Sequence, residues 1–128
     1  MPSNPPRPTE AELEILTILW SRGPATVREV HEAISARKPA QYTTTLKFMQ
    51  IMADKGLVRR DEKQRAHIYE AARPKEWTQR QLAGDLLQRA FNGSARSLML
   101  GALSAKKTTP GELAELRKLL EEYEKGAK

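Results

Sequence analysis

The 128-residue sequence predicts a mainly α-helical protein with a small β-hairpin wing: a winged helix-turn-helix followed by an α-helical dimerisation region. Three amphipathic segments open the chain, a basic stretch with strand periodicity follows them, and the last third is helical again. Three helices followed by a basic hairpin is the element order of a winged helix-turn-helix. We expect a disordered arm at residues 1–8, the DNA-binding domain at 9–74 and the helical dimerisation region at 75–128.

The first two predicted helices each begin at a capping box. In Thr9-Glu10-Ala11-Glu12 and in Thr26-Val27-Arg28-Glu29, the threonine hydroxyl accepts from the third amide while the glutamate reaches back. Gly23-Pro24 ends the first helix, because proline lacks an amide donor. The apolar stripes consist of Leu13, Leu16 and Trp20 in the first helix and of Val27, Val30 and Ile34 in the second.

The third predicted helix runs from Tyr42 to a C-terminal cap at Gly56, and it is long enough to lie in a major groove. At about 100° per residue, Thr44, Lys47 and Ile51 share a face opposite the apolar one, with Phe48 at its edge. We expect a capped N-terminus whose amides can bind a phosphate. The apolar face consists of Leu46, Met49 and Ala53.

A hairpin is predicted after Gly56, where the periodicity changes. Residues 57–61 and 66–71 are short strand-like runs, and they flank the charged residues 62–65. Lys63 and Arg65 in this tip are suited to contact the DNA backbone or the adjacent minor groove.

The basic excess is concentrated in the middle of the chain. Residues 22–75 carry twelve Lys and Arg against six Asp and Glu, within a total formal charge of +6. Such an excess favours a polyanionic partner, and threonine and lysine suit base and phosphate contacts. Each residue alone is also compatible with a helix cap or a solvated surface; the order of elements favours DNA. The predicted DNA-binding residues are Arg28, Tyr42, Thr43, Thr44, Lys47, Ile51, Lys63 and Arg65.

Three amphipathic helices are predicted beyond Pro74, with Ser94 and Thr109-Pro110-Gly111-Glu112 as caps of the last two. Their leucines suit either the core of the same domain or a subunit interface. We favour the interface, since about 50 residues in three helices cannot all pack on one small domain and palindromic DNA favours a two-fold dimer. The predicted dimerisation residues are Leu86, Leu87, Phe91, Leu98, Met99, Leu103, Leu113, Leu116, Leu119 and Leu120.

Enzymatic, metal-binding and membrane functions are not expected. The sequence has no cysteine, and His31 and His67 are its only histidines, without carboxylates spaced to complete a metal site. No nucleophile–base set or apolar run of about 18 residues is present. We therefore expect a cytoplasmic protein that requires no cofactor and does not insert into a membrane.

Several motifs resemble the penicillinase-repressor family, BlaI/MecI-like, over residues 8 to 121. Among them are the opening Pro8-Thr9-Glu10-Ala11-Glu12-Leu13-Glu14-Ile15-Leu16, followed by Leu19-Trp20, and Thr26-Val27-Arg28-Glu29-Val30-His31. The others are Thr43-Thr44, Lys55-Gly56-Leu57-Val58, Tyr69, Phe91-Asn92-Gly93-Ser94 and the segment from Glu112-Leu113 to Leu119-Leu120.

The resemblance implies a homodimeric repressor of palindromic operators, with Thr44 at a DNA-contacting position. It also implies derepression by a protease under a membrane-bound β-lactam sensor, with cleavage between the second and third C-terminal helices. Family members often have threonine where Lys47 stands and arginine where Ile51 stands, which implies different operator bases. An Asn-Phe bond is cleaved in the best-known members, and Gly101-Ala102 occupies the matching position.

The function predicted from the sequence is transcriptional repression by a dimer that binds double-stranded operator DNA and occludes the promoter. The alternative is a protein-interaction module that uses the same winged fold to dock a partner.

Overall fold

The computed structural model describes residues 7–126 and confirms the predicted fold class. Of the predicted arm at residues 1–8, all but Arg7 and Pro8 lie outside the described residues. The chain forms two compact units, one extending to Leu82 and the other beginning at Ala83. The elements are α1 (Glu10–Arg22), α2 (Val27–Ser35), α3 (Tyr42–Lys55), β1 (Val58–Asp61), β2 (Ile68–Ala71), α4 (Lys75–Phe91), α5 (Ala95–Ala105) and α6 (Pro110–Gly126).

Both N-terminal capping boxes are confirmed. The Thr9 hydroxyl accepts from the Glu12 amide at 3.2 Å, and the Glu12 carboxylate accepts from the Thr9 amide at 3.0 Å. Thr26 and Glu29 make the same pair of bonds at 3.1 and 2.9 Å. These boxes satisfy amides that have no partner within the helix, so they define where α1 and α2 begin.

The core of the first unit is formed by α1, α2, α3 and the hairpin. Met49 and Met52 of α3 are fully buried, as is Val30 of α2, and Tyr69 of β2 is 1% exposed. Unbranched methionines fill the irregular space between helices and hairpin. The remaining buried hydrophobic residues are Ile15, Leu16, Leu19, Ala25, Val27, Ile34, Leu57 and Val58.

The predicted hairpin is confirmed as an antiparallel pair in which Val58 faces Ala71 and Arg60 faces Tyr69. A third segment joins it, because Ala25 in the α1–α2 loop forms an isolated bridge to Tyr69. The Ala25 amide donates to the Tyr69 carbonyl at 2.9 Å, and the Tyr69 amide donates back at 2.8 Å. The wing, residues 58–71, is thereby hydrogen-bonded to the loop that begins α2.

The start of α4 belongs to the first unit, whereas the predicted division falls between residues 74 and 75. The Trp20 indole donates to the Arg73 carbonyl at 3.0 Å, and Thr78 is buried at 7% exposure. The Arg73 guanidinium lies 4.5 Å from the centre of the Trp77 ring. These contacts hold the first turns of α4 against the winged domain.

The second unit contains the rest of α4 together with α5 and α6. Ser94 caps α5 by accepting from the Ser97 amide at 3.0 Å, and the Thr109 hydroxyl accepts from the Glu112 amide at 3.1 Å. Neither α5 nor α6 contains a buried residue within the described part of the chain.

The bond Gly101-Ala102 matches the family's cleavage site, and we expected that site to lie between the second and third C-terminal helices. This expectation is wrong. Gly101 and Ala102 lie inside α5, not between the second and third C-terminal helices. The ring of Phe91 packs close to this point, since a β-carbon added to Gly101 would lie 3.5 Å from it. The helix continues through Gly101 because Ser94 caps its start and residues with good helix propensity, leucine and alanine, flank the glycine.

Candidate nucleic-acid interface

The third helix presents one exposed face, which we call the outward face of α3. Thr45, Met49 and Met52 turn towards the core and are at most 3% exposed. At about 100° per residue, the direction opposite this buried stripe falls near Lys47. The outward face consists of the exposed residues Thr43, Thr44, Lys47, Gln50, Ile51 and Asp54.

Four predicted DNA-binding residues therefore lie together: Thr43, Thr44, Lys47 and Ile51 share the outward face. Hydroxyl groups, methyl groups and one ammonium group are the chemistry that reads base edges and phosphates. The neighbouring Thr45 points inwards, where its hydroxyl lies 3.5 Å from His31 Nδ1 and from the Gln41 carbonyl. The threonine run is thus divided between the surface and the core.

The prediction of a capped N-terminus for this helix is wrong. The N-cap is Gln41, and its side chain makes no capping hydrogen bond. Glutamine lacks the short side-chain oxygen of serine, threonine, aspartate or asparagine, so it caps poorly. Pro39 and Ala40 precede it, and the threonines begin only after the helix has started. The first amides of α3 are consequently left without a side-chain acceptor from Gln41.

Tyr42 connects the start of α3 to α2. Its ring meets that of His31 edge to face, with centroids 5.6 Å apart and planes at 81°. The guanidinium of Arg28 lies 5.8 Å from the Tyr42 ring centre. Arg28 and Tyr42, both predicted at the interface, are therefore adjacent, whereas His31 was not among the predicted site residues. Its contact depends on how α2 packs on α3, and that packing leaves no local signal in the sequence.

A cleft of about 560 Å³ separates the wing from α2 and α3. Arginines from two elements line it: Arg28 from α2, and Arg60 and Arg65 from the wing, while α3 contributes Gln50. Lys63 lies on a separate groove of the wing beside Pro24 and Arg59. The two basic residues predicted for the wing tip thus face different grooves.

Arg60 is a cleft residue outside the predicted site. Its side chain pairs with Glu62 at 2.6 Å, and a hydrogen bond with the Tyr69 side chain raises the pKa of Arg60 above its ordinary value. Arg59, its neighbour in β1, instead pairs with Glu70 at 3.3 Å. The sequence could have predicted that Arg59 and Arg60 lie on opposite faces of the hairpin, because successive residues of a strand point to opposite faces.

The basic residues of the first unit differ in whether a carboxylate pairs with their charge. Glu14 accepts ion pairs from Arg37 and Lys38 of the α2–α3 turn, and the hydrogen bond from Lys38 lowers the pKa of Glu14. Within residues 7–126, no carboxylate lies within ion-pairing distance of the predicted DNA-binding residues Arg28, Lys47, Lys63 and Arg65. Uncompensated positive charge of this kind attracts a phosphate backbone.

Across residues 7–126, no group of three or more His, Cys, Asp or Glu side chains is arranged to hold a metal ion. Among the described helices, none is both long and apolar enough to cross a membrane.

The fold, an exposed helix beside a basic hairpin, is that of a winged-helix DNA-binding protein. Comparison with known proteins agrees: residues 8–122 match the penicillinase repressor family. The chain is 35% identical over 118 residues to proteins described as "Transcriptional regulator BlaI" from two strains of Mycobacterium tuberculosis, CDC 1551 / Oshkosh and H37Rv. The alignment covers 91% of this chain and 85% of each relative.

The chain therefore belongs to the penicillinase repressor family, which confirms the resemblance seen in its sequence motifs. The family consists of transcriptional regulators and not of enzymes, so the chain is a DNA-binding regulator of the repressor type.

Proposed function

We propose that this protein is a dimeric repressor that binds a palindromic operator through the outward face of α3 and the wing, and thereby occludes a promoter. The observation that carries the proposal is a set of basic side chains without a carboxylate partner among the described residues: Arg28 and Arg65 in the cleft beside α3, Lys47 on the outward face of α3, and Lys63 on the wing. Its DNA partner implies that the protein acts in the cytoplasm.

The dimer is supported by the apolar surface of the second unit. Leu100 is 59% exposed, Leu119 46% and Leu120 58%, and Tyr123 at 73% is the most exposed large apolar residue of the described chain. A single copy therefore leaves Leu113, Leu119 and Leu120 of α6 exposed to water, which favours association with a second copy. Two-fold pairing would present two α3 helices to two half-sites, as a palindrome requires.

Release of the operator by proteolysis is part of the proposal. A cut at Gly101-Ala102 would separate α6, with its exposed leucines, from the DNA-binding unit and so weaken the dimer. Because the bond lies inside α5, the protease needs local unwinding of that helix. Glycine in a helix interior lowers helix stability by about 1 kcal/mol relative to alanine, which favours such unwinding.

DNA binding is tested by retardation of the duplex upstream of the protein's own gene, over a range of salt concentrations. We expect sequence-specific retardation that weakens steeply with salt, because the contacts displace counterions from phosphates. The control variant is Arg37→Ala, since Arg37 is already paired with Glu14. Lys63→Ala should weaken binding more than Arg37→Ala does. Equal retardation of any sequence, or none at low salt, would instead support the protein-interaction module.

The dimer is tested separately by sedimentation equilibrium. The wild type should sediment at twice the chain mass of 14.5 kDa, and Leu119→Asp together with Leu120→Asp should shift it towards the monomer. A matched control is Glu121→Asp with Glu122→Asp on the same helix. A wild type that remains monomeric at micromolar concentration would contradict the dimer.

A further inference from the structure

Ile51 is the one large aliphatic side chain on the outward face of α3. It is 36% exposed, and its neighbours on that face are polar or charged. It does not belong to the buried cluster of the first unit, nor to the partly buried residues packed against that cluster. Ile51 therefore lies outside the core of the first unit, with 36% of its surface open to solvent.

The exposed large hydrophobic side chains in the described part of the first unit all belong to this helix. Among the described residues up to Leu82, the exposed large hydrophobic side chains are Tyr42 and Ile51. Tyr42 contacts His31 and Arg28 within the protein, whereas Ile51 is not among the partly buried residues that pack against the core cluster. A single exposed apolar residue is common on protein surfaces, but this one stands in the middle of the surface proposed to enter the groove.

The major groove offers one apolar group, the 5-methyl of thymine. We propose that Ile51 determines operator specificity by packing against a thymine methyl in each half-site, an inference that rests on the proposed DNA-binding function. The branched Cβ of isoleucine restricts its rotamers, so the contact requires little ordering. Cytosine at the same position lacks the 5-methyl group, so the apolar contact with isoleucine is lost.

Lys47 limits where the thymine can lie. It precedes Ile51 by one turn on the outward face, about 6 Å along the helix axis. Successive base pairs of B-DNA are about 3.4 Å apart along its axis. Lys47 and Ile51 are therefore expected to reach bases about two steps apart. If Lys47 reads a guanine, the thymine is expected within one to three base pairs of it.

The test removes the methyl and nothing else. Operators are first selected from random duplex DNA with the full-length protein, and each thymine of the selected half-site is then replaced by deoxyuridine. At one thymine per half-site we expect about a fourfold loss of affinity, the effect of one buried methyl group. With Ile51→Ala, whose parent side chain is outside the core, that same replacement should change the affinity by less than about 1.5-fold.

Two variants separate Ile51 from its neighbours. Thr44→Ser removes a methyl one further turn away on the same face, and Lys47→Ala removes the charge; both should keep the deoxyuridine effect. Specific binding with no deoxyuridine effect at any position would overturn the inference and leave the proposed function intact. An effect that persists in Ile51→Ala would also overturn it, by assigning the methyl to another residue. Failure to select any sequence would instead mean that the proposed function is wrong, and the inference with it.

Discussion

Lys55 at the end of the recognition helix α3 is bonded to Glu12 at the start of α1. Its ammonium lies 2.9 Å from both carboxylate oxygens of Glu12, a residue that is only 2% exposed. Glu12 also accepts from the Thr9 amide, so one carboxylate caps α1 and fixes the far end of α3. The orientation of α3, the helix that we propose binds DNA, therefore depends on a charge contributed from 43 residues earlier in the chain.

Substitution of Glu12 and substitution of Lys55 should lower the free energy of unfolding by different amounts. Glu12→Gln keeps the capping box and loses the charge, and should lower the free energy of unfolding by about 2 kcal/mol near neutral pH. Lys55→Met should cost more, about 3 kcal/mol, because it leaves a buried carboxylate without a counter-charge. The Lys55 side chain is 29% exposed, so in Glu12→Gln its ammonium still reaches water. Urea unfolding measures both variants, and equal costs would contradict this asymmetry.

Acid should unfold the protein through three carboxyl groups. Burial raises the pKa of Glu12, but the bonds from Lys55 and Thr9 outweigh it, and the pKa lies below the ordinary 4.5. The Lys38 hydrogen bond lowers the pKa of Glu14, and the Thr26 amide lowers that of Glu29. Groups with a lowered folded pKa contribute stability above the unfolded pKa and lose it as pH falls through the folded value.

Stability measured by urea unfolding should therefore be constant on this account from neutral pH down to about 4.5 and then fall. Glu12→Gln should show a shallower fall than the wild type, because it has lost one of the three groups. Parallel pH curves for the two proteins would contradict a lowered Glu12 pKa.

Two glycine-to-alanine substitutions should act in opposite directions. Gly56 caps α3 at φ 82°, in the left-handed region, and a β-carbon there would meet nothing within 4 Å. Gly56→Ala should cost about 1 kcal/mol of backbone strain. Gly84 lies inside α4 with open space around it, so Gly84→Ala should stabilise that helix by up to about 1 kcal/mol. Thermal unfolding compares the two, and a stabilising Gly56→Ala would contradict the cap.

Lys47 should contribute to DNA affinity in a way that salt reveals. If it contacts a phosphate, Lys47→Ala lowers the slope of log affinity against log salt by up to about one unit. If it contacts a base, the slope stays and affinity for the preferred sequence falls by about 1–3 kcal/mol. The control is Lys107→Ala, an exposed lysine between α5 and α6. Undiminished affinity with an unchanged slope would remove Lys47 from the interface.

Local signals explain why much of the fold was predictable from the sequence. Thr9 with Glu12, and Thr26 with Glu29, define helix starts within four residues, and Gly56 ends α3 by its backbone freedom alone. The outward face of α3 followed from helical periodicity. In each case the residues that determine the structure are neighbours in the chain.

Long-range packing explains the rest. Glu12 was predicted only as a cap, because nothing near it in the sequence indicates Lys55. The prediction of a capped start for α3 was wrong, because Gln41 occupies the N-cap and its side chain makes no capping hydrogen bond. Arg60 joins the cleft through its pairing opposite Tyr69, which depends on the register of the hairpin. Such contacts exist only once separate elements have docked.

The two hydrogen bonds between Ala25 and Tyr69 have a consequence for the length of the DNA site. Because they tie β2 to the loop before α2, they restrict movement of the wing relative to the helices of the first unit. A repressor that binds DNA through both the wing and α3 cannot increase the distance between them to accommodate an inserted base pair. If the proposed operator binding is correct, we therefore expect the DNA segments beneath the helix and beneath the wing to have a constant spacing within each half-site.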